Sequence, residues 1–193
     1  MMKLNAINYV AFQLGWFACV LSAAHGRPLS GLTVAVLLLG LHLFLARKIS
    51  AELKLILACT AVGLVFDSLL LATRWVSYPN GEWLPGMAPY WIVAIWLLFA
   101  TTLNLSMGWL KGRLPLAVML GALGGPLSYI AGEKLGAMRL ENPEAALIAL
   151  AVAWAIIMPV LSLLAQRWNG FSIEDEARPV LTGWASAGVK ENV

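Results

Sequence analysis

The chain has 193 residues, of which 61% are apolar and 12% charged, with a mean hydropathy of +0.81. An ordinary soluble domain is about 45–50% apolar and about 25% charged, and a disordered one is far less hydrophobic. Both classes are excluded. The formal charge of +3 lies in short clusters between apolar runs, which excludes a basic nucleic-acid-binding face and is the membrane pattern.

A membrane-crossing helix takes about 20 apolar residues, because the hydrocarbon core is about 30 Å thick and a helix rises about 1.5 Å per residue. Six runs meet this length, at 5–24, 29–46, 55–73, 88–107, 114–131 and 145–165. The expected fold is all-α: a polytopic transmembrane helical bundle of six spans over 1–168, then a cytoplasmic tail over 169–193. The tail opens with Asn169-Gly170 and carries an acidic run at 174–176, read as a solvated segment.

The first run is a retained helix, since its apolar stretch exceeds the roughly 7–15 residues of a signal peptide. Asn5, Asn8, Gly15, Cys19 and Ser22 share one face of it. Gln13 points elsewhere and needs another partner, which makes it a candidate binding residue. His25 and Arg27 flank the outer end, where a lone histidine is read as solvated. Cys19 and Cys59 lie in apolar runs without C-x-x-C spacing and read as small buried hydrophobes.

Asp67 stands out in the third run. A carboxylate at mid-helix costs about 2.5–3.5 kcal/mol on insertion scales, so it marks either a proton, ligand or catalytic site or a structural acceptor between helices. The structural role is slightly preferred. Arg74 is two turns further on, too far for an easy direct pair, so the partner should come from another helix. The loop over 77–89, punctuated by Pro79, Asn80-Gly81, Pro85-Gly86 and Pro89, predicts a compact outer cap. Trp75, Tyr78, Trp83, Tyr90 and Trp91 mark the outer interface, Trp109 and Trp168 the inner one.

In the fourth run Thr101, Asn104 and Gly108 share a face. Pairing it with the Asn5–Asn8 face gives interhelical contacts of about 0.6–2 kcal/mol each, a structural glue in which Asn8 and Asn104 are the polar candidates. In the fifth run Gly121, Gly124, Gly125, Ser128 and Gly132 fall in a stripe about 100° wide, which predicts close helix packing. Pro126 predicts a kink or local break beside Gly125. Ser128 and Tyr129 lie at the depth of Asp67, with Glu133 just outside. These groups with His25 could converge on one outer-leaflet pocket.

Lys and Arg count nine on the side of the first residue and four on the other, or seven against four without the distant Arg178 and Lys190. The positive-inside rule then puts both termini in the cytoplasm of an inner-membrane protein. Metalloprotease, serine-hydrolase and nucleotide-loop motifs are missing, and no metal or other cofactor is expected.

Four stretches carry a resemblance: Phe12-Gln13-Leu14-Gly15-Trp16-Phe17-Ala18-Cys19-Val20, Asp67-Ser68-Leu69-Leu70, Phe99-Ala100-Thr101-Thr102-Leu103-Asn104 and Gly124-Gly125-Pro126-Leu127-Ser128-Tyr129. Together they resemble a family of small bacterial inner-membrane proteins classed as a domain of unknown function, from Asn5 to the sixth run. The resemblance implies no activity and no catalytic residue. An association of its members with fatty-acid-modifying, cyclopropane-synthase-like enzymes implies a lipid-related role. The leading expectation is a non-catalytic accessory or scaffold protein whose partners are membrane lipids and a lipid-modifying enzyme. The alternatives are a lipid or small-molecule carrier or enzyme with a pocket at Asp67, and an ion or proton pathway.

Overall fold

The computed structural model describes residues 2–172, so the acidic run and most of the expected tail lie outside the described residues. Six α-helices follow one another: α1 (Met2–Ala24), α2 (Pro28–Leu45), α3 (Ile49–Ala72), α4 (Tyr90–Thr102), α5 (Leu114–Lys134) and α6 (Pro143–Arg167). A 3-10 turn, Gly108–Leu110, precedes α5. Proline in the first turn opens α2, α5 and α6, where its missing N–H and fixed φ carry no penalty. Asn142 caps α6 by accepting the Ala145 N–H at 3.3 Å.

Five of these helices are long and apolar enough to cross a membrane. The fourth expected run, 88–107, is not helical throughout. α4 has 13 residues, a length of about 20 Å at about 1.5 Å per residue, short of a bilayer core of about 30 Å. The Thr101 and Thr102 hydroxyls bond back to the Leu98 and Phe99 carbonyls, and the amides of Leu105 and Met107 both turn onto the Thr102 carbonyl. This competition for backbone partners ends the helix. Its shortness is tolerated because α4 is the central element, packed on α1, α2 and α3, with Trp91, Ala94, Trp96, Leu98 and Ala100 buried.

Around that centre α1 packs on α2 and α4, α3 packs on α4, and α5 pairs with α6. Glycines set the closest approaches. A Cβ at Gly31 would strike the Cys19 backbone on α1, and one at Gly63 would strike the Trp96 ring. At Gly121 and Gly125 it would strike Trp154 of α6. Without side chains, these positions let the helices come nearly backbone to backbone.

Two short strands, β1 (Val76–Ser77) and β2 (Arg139–Leu140), pair antiparallel with Val76 opposite Leu140 and Ser77 opposite Arg139. The amides of Glu141 and Asn142 also bond to the Trp75 carbonyl, and Ser77 bonds to Glu141 at 2.6 Å. This ladder ties the α5–α6 hairpin to the loop after α3. The loop itself is compact, as its punctuation predicts: Gly81 and Gly86 take positive φ, Trp83 bonds the Ala88 carbonyl, and Trp91 bonds the Asn80 carbonyl.

Candidate functional site

Asp67, on the last third of α3, is completely buried. Three side chains from three different segments converge on it. Tyr78 of the cap loop donates to Oδ1 at 2.9 Å and Tyr129 of α5 donates to the same oxygen at 2.5 Å. Trp96 of α4 donates its indole N–H to Oδ2 at 2.7 Å. Burial and the adjacent Asp67 carboxyl hold the Tyr78 hydroxyl well above its ordinary range, so it stays a donor. Trp96 in turn stacks on Trp154 of α6, centroids 4.9 Å apart and planes at 11°. The carboxyl therefore knits α3, α4, α5 and the cap together.

A cavity of about 740 Å³ reaches this cluster. It lies in the gap between α1 and α5, which pack on different partners, and α4 forms its floor. On α1 it runs from Tyr9 to Val20, about 16 Å at about 1.5 Å per residue; on α5 it runs from Leu120 to Gly132, about 18 Å. Its wall is apolar and rich in aromatic rings, among them Phe12, Trp16, Trp96, Phe99 and Trp154. Phe17 of α1 and Leu127 of α5 line the cleft and are exposed, so it opens sideways between the two helices.

The expected site residues divide between these features. Tyr129 meets Asp67, as their common depth predicts. Ser128 lines the cleft but bonds back to the Gly125 carbonyl at 2.7 Å, away from Asp67. Gln13 also lines the cleft and donates to the Tyr9 hydroxyl one turn earlier, at 3.1 Å. Glu133 does not converge; it accepts the Leu140 amide at 2.8 Å and stabilises the turn into β2. His25, just beyond α1, is exposed and bonds the Leu21 carbonyl of that helix at 2.7 Å.

The glycine stripe divides too. Gly121 and Gly125 pack on Trp154, and Gly132 lies against Met138. Gly124 is exposed and packs on nothing: a Cβ there would meet no atom within 4 Å. Of the kink or local break expected at Pro126, the break is absent: α5 continues through it as one helix.

Asn8 finds the fourth run as expected, donating to the Thr101 carbonyl at 3.2 Å and accepting from the Ser106 hydroxyl at 2.7 Å. Asn104 goes elsewhere. It donates to Glu52 at 2.5 Å and to the Trp168 carbonyl at 2.8 Å, and accepts from Lys111 at 2.5 Å. Glu52, fully buried, also accepts from His42 at 2.8 Å and from the Gly170 amide at 2.7 Å. The Gly170 carbonyl accepts from the Arg47 and Lys48 amides, and the Phe171 ring lies tilted against His42, centroids 5.1 Å apart. Burial lowers the Lys111 ammonium below its ordinary range, against the pull of Glu52.

Sequence reasoning missed this second cluster. Glu52 fell before the expected start of the third run, and its helix in fact begins at Ile49. His42, a histidine inside an apolar run, is the sequence signal that would have pointed to it.

The fold and site define a class: a polytopic helical bundle built from membrane-length apolar helices, with an apolar cleft beside a buried carboxyl that accepts three hydrogen bonds. The chain belongs to the family described as protein of unknown function (DUF2878), whose profile matches residues 5–160. No curated protein and no solved structure matches it.

Proposed function

We propose that this is an integral protein of a bacterial inner membrane that holds the hydrocarbon chain of a lipid in the cleft between α1 and α5. The observation that carries the reading is the cleft itself. Its volume of about 740 Å³ falls within the roughly 300–1,000 Å³ of ligand pockets. Its length of about 16–18 Å matches the half-thickness of a bilayer core, about 15 Å. Its sideways opening faces where acyl chains are, and Gly124 keeps its α5 wall open.

Asp67 acts here as a structural keystone, because three protein donors already occupy its two oxygens. In this reading the protein is an accessory that presents a lipid to a lipid-modifying enzyme, with both termini cytoplasmic. Native mass spectrometry of the purified protein tests it. The wild type should retain lipid, and Gly124→Phe, which adds a ring where a Cβ meets no atom within 4 Å, should lose it. Equal lipid retention by both would remove the proposal.

A further inference from the structure

Gln13 is the midpoint of α1 and Gly124 the midpoint of α5, so the two face the cleft half-way along the bundle. An amide offers two donor and two acceptor positions. Gln13 uses one, its bond to the Tyr9 hydroxyl, and has no other protein partner among the described residues. Such a polar pair is expensive in the middle of an apolar wall unless something meets it. Across the cleft at this depth lie Gly121, Gly124 and Gly125, which have no side chain to offer, and the nearby Ser128 hydroxyl is already donated to the Gly125 carbonyl at 2.7 Å. Among the described residues no lysine, arginine or glutamate lines the cleft, and its aspartate already accepts from three protein donors.

Resting on the lipid-binding reading above, we infer that the occupant is a neutral lipid carrying an uncharged oxygen, a hydroxyl or a carbonyl, which Gln13 and Tyr9 hold near the middle of the membrane. A charged headgroup has no counter-ion at this depth and would pay the desolvation of an unpaired ion. An ordinary phospholipid keeps its oxygens at the interface and would leave the pair unmet. A molecule whose oxygen sits part-way along or at the buried end of its chain satisfies both the apolar wall and the amide.

The test uses the tryptophans of the cleft as reporters. Purified protein in detergent is titrated with a brominated long-chain alkane and with a brominated ketone of equal length whose carbonyl is mid-chain, following fluorescence quenching. The ketone should bind the wild type about tenfold tighter, the ratio that one hydrogen bond of about 1.4 kcal/mol supplies. In Gln13→Leu the alkane should bind as before and the ketone should lose its advantage, with Tyr9→Phe giving a partial loss. Equal binding of the two probes by the wild type, or a ketone preference surviving in Gln13→Leu, overturns the inference while leaving the cleft reading intact. Failure of the cleft reading shows separately: both probes would then quench Gly124→Phe as strongly as the wild type.

Discussion

Glu52 and Asp67 stand fifteen residues apart on α3, each fully buried and each holding three hydrogen-bond donors. At about 1.5 Å per residue they are separated by about 22 Å along the helix. Each ties one end of α3 to the segments around it. Asp67 gathers the cap, α4 and α5; Glu52 gathers α2, the segment after α4 and the chain leaving α6.

Asp67→Ala should be the most destabilising change at the first anchor, because it orphans two hydroxyls and an indole N–H. An unsatisfied buried group costs about 1–3 kcal/mol. Tyr129→Phe removes one bond and leaves two, so its loss should be smaller. Thermal melting in detergent ranks the two, and the reverse order would refute the keystone role.

At the second anchor, Glu52→Ala should release the chain beyond α6 without opening the Asp67 end. Hydrogen exchange of the Gly170 and Arg47 amides should speed up, while the Leu140 amide, held by Glu133, stays protected.

Gly63→Ala and Gly124→Ala should act in opposite senses. A Cβ at residue 63 collides with the rigid Trp96 ring and must displace it, so melting should fall by several degrees. At residue 124 the space is open and alanine favours the helix by up to about 1 kcal/mol, so stability should hold or rise.

Cys19 and Cys59 are wholly buried and unpaired. Neither should react with a maleimide until the protein unfolds, because a thiol out of reach of water cannot present a thiolate. Mass spectrometry of native and denatured samples gives the two counts.

A reporter fused after Val193 should signal from the cytoplasm, and one inserted at Gly86, in the exposed cap, from the opposite side. Signals from the same side would dismantle the proposed topology.

Run lengths and apolar content determined the helices. Five of the six expected runs are helices of membrane length, because twenty consecutive apolar residues leave the backbone no other way to bond itself in lipid. Asp67 was legible for the same reason: a carboxyl in such a run must have a partner. Of its three donors only Tyr129 was placed at its depth; Tyr78 and Trp96 were not, since they come from separate segments that meet only when the helices pack. Tertiary structure alone decided that α4 lies at the centre and can be short, that Glu52 is as buried as Asp67, and that Gly124 faces a cleft while Gly121 and Gly125 face Trp154. Helical spacing says which residues share a face, but which neighbour occupies that face is settled by how all six helices share one interior.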